Sequence, residues 1–379
     1  MKYIYNLKFI VLTSAVITFF IGCRKDDLKE ERTHEKMVLV YLAGNNNLKD
    51  EAIESIVKMQ RGVKGIKGDL LAFVKTERST SQLLRIKYSN GDKVVSDTLK
   101  NYGFENSSDP SFLSRVIHDA RKLSAAKTYG LVLWSHATAW APPYNRVTTK
   151  SFGDDDGIEM DIVDLKKVLP NDFEYIMFDA CSMGSVEVIF ELRNNTKYIL
   201  ASPSEVLSTG FPYEEITKDL FNGLDGLKVV SKKFIDHYNS LSGLFASATV
   251  SLIDTKELDG VAMFTRELLS KIGPKKGFEL NKLQRLDYQY GSGVPAYDFI
   301  SFFKNNFPTD SYSVLLKEQV NKAVIYSGHT EQFFNIPIKE FCGLSVYLPD
   351  VNIHHEDYYK QLDWDKATGW STIFKFSSF

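Results

Sequence analysis

Short apolar runs alternate with amphipathic segments along most of this chain. The uninterrupted runs Met37 to Ala43, Leu131 to Trp134 and Tyr175 to Phe178 have the length and the β-branched and aromatic content of strands buried on both faces. Between them, apolar residues recur at three- and four-residue spacing, as in Ser111 to Ala126, which predicts helices. Buried strands that alternate with helices predict an α/β fold with a mostly parallel central sheet flanked by helices.

Other segments complete this alternation. Asn90-Gly91 lies between two alternating runs and predicts a β-hairpin, because this dipeptide favours the tight turns of antiparallel strands. Further predicted strands are Leu70 to Val74, Tyr198 to Ala201, Leu244 to Ile253 and Leu344 to Leu348. Further predicted helices are Leu48 to Met59, Ile162 to Leu169, Val186 to Leu192, Leu220 to Asn239, Glu257 to Ile272, Tyr297 to Phe303 and Tyr312 to Val324. Since helices predominate from about residue 255, we expect a core over residues 37–254 and a C-terminal domain over 255–379, mainly helical and packed on the core.

The first residues have the features of a targeting signal. Two lysines precede an apolar stretch, Phe9 to Ile21, that is short for a membrane span. Gly22-Cys23 at its end resembles the processing site of bacterial lipoproteins, which predicts a signal peptide over residues 1–22 and an acylated Cys23. A plain signal peptide or an uncleaved anchor is the alternative. Residues 23–36 are charged and poor in apolar residues, so we expect a disordered tether there.

Two of the predicted strands lead directly to residues that can perform nucleophilic chemistry. Cys181 precedes a predicted helix, where free amide groups and the helix dipole favour a thiolate. His136 lies 45 residues upstream of Cys181, close to the separation of roughly 50 typical of caspase-type peptidases. Ligand sites of open α/β sheets lie at the carboxyl edge where such strands end. A lone Cys is more often a small buried residue, but the pair favours a catalytic interpretation.

Five segments, in order, resemble the clostripain-like cysteine peptidases, which are relatives of the caspases, gingipains and legumains. They are Val38-Leu-Val-Tyr-Leu-Ala-Gly-Asn-Asn-Asn-Leu48, Tyr129-Gly-Leu-Val-Leu-Trp-Ser-His136, Phe178-Asp-Ala-Cys-Ser-Met-Gly184, Gly210-Phe-Pro-Tyr213 and Gly343-Leu-Ser-Val-Tyr-Leu-Pro349. The family usually follows its catalytic His with Gly-x-Gly-Trp, whereas this chain has Ala137-Thr138-Ala139-Trp140. The resemblance implies a caspase-like fold and endopeptidase activity.

The resemblance also implies a role for each residue of the site. Cys181 would attack the scissile carbonyl and form a thioacyl-enzyme, and His136 would protonate the leaving amine. The backbone N–H groups of Ala137 and Cys181 would form the oxyanion hole. Alanine at position 137 puts the backbone angle there in question, because glycine adopts positive φ more readily.

Asp179 is expected to determine specificity. In the family, the Asp two residues before the nucleophile lies on the floor of the pocket for the residue before the cut. A carboxylate there demands a cation, so we predict cleavage after Arg and secondarily after Lys. The alternative is that Asp179 caps the following helix.

The polar segment Ala141 to Gly157 lies between the His and the Cys. Some family members mature by self-cleavage in this part of the chain, and Arg146 and Lys150 are basic residues of the kind that such an enzyme would accept. The run Asp154 to Asp156 lacks the spaced ligands of a calcium loop, so we expect a solvated turn. We predict no cofactor, although the resemblance leaves a calcium ion open.

Composition excludes several other classes of protein. The 379 residues are 44% hydrophobic and 13% aromatic, which supports a substantial core. The net charge of −2, without a basic cluster interleaved with aromatics, gives no indication of a nucleic-acid partner. The three cysteines, at 23, 181 and 342, match neither a disulfide framework nor a zinc motif. His354, His355 and Glu356 are expected to belong to an exposed tail rather than to a metal site.

The predicted partners are protein or peptide substrates with Arg or Lys and, through the lipid anchor, a membrane. The predicted location is the cell envelope of a bacterium, on the outer membrane or cell surface.

Two functional alternatives remain open. A catalytically weakened lipoprotein of the same fold could bind peptides or glycans, and a deamidase or acyltransferase could use the same Cys/His pair.

Overall fold

The computed structural model describes residues 34–141, 151–271, 278, 280–288, 295–348 and 355–376. The strands are β1 (His34–Ala43), β2 (Asp69–Glu77), β3 (Thr80–Ile86), β4 (Ser96–Asn101), β5 (Ala126–Trp134), β6 (Phe152–Asp155), β7 (Ile158–Met160), β8 (Phe173–Asp179), β9 (Thr196–Ala201), β10 (Thr249–Asp254), β11 (Ala296–Asp298), β12 (Val324–His329), β13 (Gln332–Phe333), β14 (Ile336–Pro337) and β15 (Ser345–Tyr347). The α-helices are α1 (Lys49–Gly62), α2 (Pro110–Leu123), α3 (Ile162–Val168), α4 (Val186–Glu191), α5 (Tyr213–Ile216), α6 (Gly223–Asn239), α7 (Leu258–Leu269), α8 (Phe299–Asn306), α9 (Ser311–Ala323), α10 (Glu356–Tyr359) and α11 (Asp363–Thr368).

A nine-stranded sheet forms the centre of the fold. Its strand order is β12-β10-β9-β8-β5-β1-β2-β3-β4. The five central strands, from β9 to β2, run parallel, and antiparallel strands close both edges. The predicted α/β fold with a mostly parallel sheet is therefore confirmed, and so is the hairpin, which β3 and β4 form.

The central strands are apolar over most of their length because helices cover both faces of the sheet. Along β1, Leu39 and Tyr41 belong to one apolar cluster, which α2 and α4 complete. The alternating residues Val38 and Val40 belong to a second cluster, which α1 and α6 complete. The period of two along a strand thus divides one apolar run between two cores.

The C-terminal part of the chain is integrated with the sheet. Strand β12 lies beyond residue 254, yet it pairs antiparallel with β10 at the edge of the sheet. The described residues belong to one compact unit. No helix in the described part of the chain is both long and apolar enough to cross a membrane.

The prediction of an exposed tail around His354 to Glu356 is wrong for the residues that the structure describes. Tyr359, Trp364 and Trp370 are fully buried. His355 is also buried and lies edge-on to Trp140, with ring centroids 6.1 Å apart. The tail is buried because its aromatic side chains pack into the first apolar cluster. His354 lies outside the described residues.

The prediction of a solvated turn at Asp154 to Asp156 is confirmed for Asp156, which is exposed in the turn between β6 and β7, but it is wrong for Asp155, which is only 3% exposed. Its carboxylate pairs with Lys75 at 2.7 Å and accepts hydrogen bonds from Ser107 and Asn45. Asp154 instead accepts from the N–H of Gly157, and Asp156 pairs with Arg78. Because the three carboxylates turn to different partners, this run does not fit a cation site.

Candidate active site

The strands β5 and β8 place His136 and Cys181 at the same level of the sheet. These strands are parallel neighbours, and Trp134 is in register with Asp179. Each of the two candidate residues lies two positions beyond this register pair. The N–H of Ser135 also donates to the carbonyl of Asp179 across the strand ends, at 3.4 Å. Both side chains line the same two cavities.

Cys181 is half-buried, and its thiol lies against the backbone of Val206. The N–H of Val206 is 3.3 Å from Sγ, and Sγ is 3.6 Å from the carbonyl oxygen of the same residue. Burial, together with the nearby carboxylates of Glu205 and Asp179, raises the pKa of the Cys181 thiol to about 11, against the opposing effect of the hydrogen bond from Val206. The cysteine of this state is therefore a thiol at neutral pH.

The expectation of a thiolate stabilised by a helix N-terminus is wrong. Helix α4 begins only at Val186, with Ser185 as its N-cap. Four residues thus separate Cys181 from the first residue of the helix, and the dipole effect falls off within one turn. Because Ser185 caps α4, the alternative interpretation of Asp179 as the cap of this helix is wrong.

His136 is held by Asn47, which follows β1. The Nε2 atom of His136 is 2.7 Å from Oδ1 of Asn47. An amide oxygen can only accept a hydrogen bond, so this contact assigns the hydrogen to Nε2 and leaves the lone pair on Nδ1. Burial lowers the pKa of His136, against the opposing effect of the Asp154 carboxylate. The imidazole is therefore mainly neutral at neutral pH.

The loop after His136 pairs with the β6 strand. Gly153 N–H donates to the carbonyl of His136 at 2.9 Å, and Thr138 N–H donates to the carbonyl of Ser151 at 3.1 Å. Ala137 lies between these bonds, opposite Phe152. In such a pair the N–H of the middle residue points away from the partner strand. The N–H of Ala137 thus turns away from β6.

The strained position in this loop is Ala139. Its φ is 63°, whereas Ala137 does not have a positive φ. The left-handed region costs a non-glycine residue about 1–2 kcal/mol. The positive φ that was in question at Ala137 is therefore found two residues later, at Ala139. Trp140, next in the chain, is buried and packs edge-on against Tyr347 and Tyr359.

Asp179 is 4% exposed and lies in a cradle formed by Gly210 to Tyr213. Its Oδ2 accepts hydrogen bonds from Phe211 N–H at 3.2 Å and from the Tyr213 hydroxyl at 2.9 Å. A Cβ at Gly210, whose φ is 60°, would be 2.7 Å from Oδ2, so this position requires glycine. Burial outweighs the two hydrogen bonds and raises the pKa of Asp179 to about 6.

The carboxyl group of Asp179 lines a cavity of about 230 Å³, together with His136 and Cys181. Among the described residues, Oδ1 of Asp179 accepts no hydrogen bond, so it is available to a ligand. No Lys or Arg is among the described residues that line this cavity. We name it the Asp179 cavity.

A second cavity of about 200 Å³ adjoins the first and shares His136, Cys181 and Glu205 with it. It extends along the Ala137 to Trp140 loop and past the start of α4. We name it the acidic cavity, since five carboxylic residues line it: Asp154, Glu159, Glu187, Glu205 and Asp287.

Three predicted residues lie outside the described part of the chain, namely Cys23, Arg146 and Lys150. Cys342 is described, and it does not line either cavity. Its Sγ is 3.4 Å from the carbonyl of Leu344, and burial raises the pKa of its thiol. Within the described ranges, no group of three or more His, Cys, Asp or Glu side chains is placed to hold a metal ion.

Asn47, Gly210 and Tyr213 also contribute to this site, although the sequence predicted no role for them. All three lie in the segments that carried the family resemblance, and that was the signal from which a role could have been inferred. Glu187 and Glu205 had no such signal, because a buried carboxylate cannot be recognised from sequence spacing alone.

The profile of the clostripain family matches residues 40–376 of the chain. Among solved structures, an inactive zymogen C11 protease from Parabacteroides distasonis is 29% identical, covers 89% of this chain and 98% of its own, and has a TM-score of 0.77. A secreted C11 cysteine protease from Bacteroides thetaiotaomicron, in complex with an irreversible peptide inhibitor, is 28% identical over 89% of this chain and 99% of its own, with a TM-score of 0.78.

A clostripain from Bacteroides thetaiotaomicron, in complex with the peptide inhibitor BTN-VLTK-AOMK, is 28% identical over 57% of this chain and 97% of its own, with a TM-score of 0.50. No curated protein matches this chain. The similarity to C11 protease structures confirms the predicted caspase-like fold.

Proposed function

We propose a specific activity from one premise: this chain belongs to the clostripain family of cysteine peptidases. The proposed activity is endopeptidase cleavage after Arg and secondarily after Lys, with Cys181 as nucleophile and His136 as acid and base. The observation that supports it most is the register of Trp134 with Asp179. This register brings a thiol and an imidazole to the lining of a cavity that the buried Asp179 also lines.

The proposed reaction uses the tautomer of His136 that its bond to Asn47 favours. Nδ1 of the imidazole accepts the thiol proton, and Sγ of Cys181 forms a bond to the scissile carbonyl carbon. The imidazolium then donates that proton to the leaving amine as the C–N bond breaks. In the second half, neutral His136 removes a proton from water as the water oxygen attacks the thioacyl carbon. The C–S bond then breaks, the carboxylic acid leaves, and the imidazolium returns the proton to Sγ of Cys181.

The oxyanion of each tetrahedral intermediate would be met by the N–H groups of Ala137 and Cys181. The N–H of Ala137 turns away from β6, since the hydrogen bonds to that strand are made by its neighbours. Each donor of this kind is worth roughly 10²–10³ in kcat. Because an alanine N–H donates as well as a glycine N–H, the change from the family's Gly retains the donor.

The proposed specificity rests on Asp179. Its Oδ1 accepts no hydrogen bond from the described residues, and Asp179 lines a cavity that has no Lys or Arg among its described lining residues. A carboxylate there favours a cationic side chain. The Bacteroides thetaiotaomicron clostripain binds an inhibitor whose peptide part ends in Lys, which agrees with this proposal. Since the charge of Asp179 raises the pKa of Cys181, a bound cation would also lower that pKa and promote formation of the thiolate.

We extend the proposal to activation by self-cleavage after Arg146 or Lys150. The high pKa of the Cys181 thiol is consistent with a resting state of low reactivity. A similar structure is that of an inactive zymogen, which also supports this step. The two residues lie between the His136 loop and β6, which are joined by hydrogen bonds, so a cut between them would alter the chain next to the proposed oxyanion hole.

We also propose that Cys23 carries a lipid that anchors the enzyme in the bacterial cell envelope. Metabolic labelling with a tagged fatty acid should mark the wild type and spare Cys23→Ser, which should leave the membrane fraction. A membrane-bound wild type that takes up no label would contradict the lipid anchor.

The proposed activity is tested with three internally quenched peptides that differ only at the residue before the cut. We expect kcat/KM to be highest for Arg, lower for Lys, and at least about 100-fold lower for Glu. Cys342→Ala serves as the control for Cys181→Ala, which should abolish hydrolysis. Equal hydrolysis of all three peptides would contradict the proposed specificity.

A further inference from the structure

We propose that the acidic cavity binds a Lys or Arg side chain of the residue directly after the scissile bond. The enzyme would then prefer to cut between two basic residues. This inference rests on the proposed function, because it places a second recognition site beside the same Cys/His pair.

The position of the acidic cavity fits the part of the substrate that follows the scissile bond. Asp179 and Ala180, which precede Cys181 in the chain, line the Asp179 cavity. Ser182, Ser185 and Glu187, which follow Cys181, line the acidic cavity. The loop after His136 forms another wall of the acidic cavity. His136 is the group that delivers a proton to the leaving amine in the proposed reaction. A peptide with its basic residue in the Asp179 cavity would therefore direct the next residue into the acidic cavity.

The lining of the acidic cavity favours a cation, although burial raises the pKa of Glu187 and of Asp287 and so disfavours their charged forms. Five carboxylic residues line it, and no Lys or Arg is among its described lining residues. Asp287 is paired with Arg285, which lies outside the lining. Burial lowers the pKa of His136, so its imidazole supplies no fixed positive charge at neutral pH.

Glu187 and Ser345 each have a buried polar atom in this lining that is poorly satisfied within the described structure. Glu187 is 0% exposed, and its Oε1 accepts from Tyr347 N–H at 2.9 Å and from the Tyr359 hydroxyl at 2.7 Å. Its Oε2 makes no hydrogen bond of good geometry, although the Ser185 hydroxyl is near enough to lower the pKa of this carboxyl group. Oγ of the equally buried Ser345 has no partner either. Buried polar atoms are normally satisfied, so an unpaired carboxylate oxygen beside a cavity indicates a missing donor. An ammonium or guanidinium group supplies that donor.

The size of the cavity indicates an extended ligand rather than a bound ion or a single water. A water needs about 10–15 Å³ of such space, and the acidic cavity has about 200 Å³. No group of described acidic side chains is close enough to hold a metal ion. Ala139, Trp140 and Tyr347 add apolar surface to the lining. A charged head on an aliphatic stem, as in Lys or Arg, fits both features.

The test uses internally quenched peptides with Arg before the cut and Lys, norleucine or Glu after it. Norleucine matches the stem of Lys without its charge. We expect kcat/KM for Lys to exceed that for norleucine about tenfold and that for Glu by more. Equal values for Lys and norleucine would overturn the inference while leaving the proposed function intact. An arginine substrate with a fluorescent amine as leaving group reports on the proposed function alone; no hydrolysis of it or of any peptide would overturn both.

Glu187→Gln tests the residue directly, since its amide keeps an oxygen for Tyr347 and Tyr359. We expect the preference for Lys over norleucine to fall toward one in this variant. Glu191→Gln is the matched control: it removes another buried carboxylate from α4, one turn further along, that does not line the cavity. It should keep the wild-type preference. Loss of the preference in Glu191→Gln alone would overturn the assignment, and the wild-type comparison stands even if Glu187→Gln does not fold.

Discussion

The hydroxyl of Tyr213 donates a hydrogen bond of 2.9 Å to Oδ2 of Asp179, and both side chains are buried. This bond lowers the pKa of Asp179, while burial raises it, and the balance lies at about 6. A carboxyl group with such a pKa is charged at neutral pH and becomes neutral in mild acid. The bond therefore sets the pH range in which the cavity can attract a cation.

Tyr213→Phe should move the acid limb of the pH profile to higher pH. The variant loses a donor that stabilises the charged form of Asp179, so the pKa of this group should rise further above its ordinary value. The measurement is kcat/KM for an arginine peptide between pH 4.5 and 8, where the wild type should lose activity below about pH 6. An acid limb at the same pH in both proteins would show that another group controls it.

Asp179→Asn should abolish cleavage after Arg and make the protein more stable at neutral pH. The folded pKa of about 6 lies above the unfolded value of 3.8. The stabilising contribution of this carboxyl group is therefore full below pH 3.8 and is lost as the pH rises through about 6. A shift of two pKa units corresponds to about 3 kcal/mol, which is an upper estimate of this loss.

Denaturant unfolding of both proteins at pH 4 and pH 7 measures this effect. The measured quantity is the free energy of unfolding of the Asn variant minus that of the wild type. This difference should be larger at pH 7 than at pH 4, because only the wild type has a carboxylate to bury. An identical difference at the two pH values would show that Asp179 is not buried as a charged group.

The fold could be predicted from sequence because buried parallel strands leave long apolar runs, as in β1, β5 and β8. The positions of His136 and Cys181 at the sheet edge followed from those runs. Strand β12 could not be predicted, since an edge strand with half-buried residues lacks an apolar run. Asp155 was misjudged because its partner, Lys75, is 80 residues away in the chain.

Ala139→Gly should stabilise the protein by up to about 1 kcal/mol. Glycine removes the strain of a φ of 63°, and its larger entropy in the unfolded chain offsets part of that gain. Thermal unfolding measures the change as a higher Tm. Ala137→Gly is the matched control two residues away, where φ is not positive, and it should not raise the Tm. An equal effect of both changes would contradict strain at Ala139.

The purified wild type should resolve slowly into two associated chains, with a break after Arg146 or Lys150. Cys181→Ala should remain one chain because it lacks the nucleophile. A variant with both basic residues changed to Ala should stay uncut and be less active on arginine peptides. Mass spectrometry of the chain ends identifies the break. Full activity of a protein that remains uncut between residues 141 and 157 would contradict activation by this cleavage.

Covalent labelling by an arginine-directed electrophile tests the central claim most directly, because it requires both the nucleophile and the cavity that selects the cation. Wild-type protein is treated with an arginyl acyloxymethyl ketone and mapped by peptide mass spectrometry. We predict one adduct, on Cys181, that is absent from Cys181→Ala, strongly reduced in Asp179→Asn and retained in Cys342→Ala. An adduct on Cys342, or undiminished labelling of Asp179→Asn, would contradict the account.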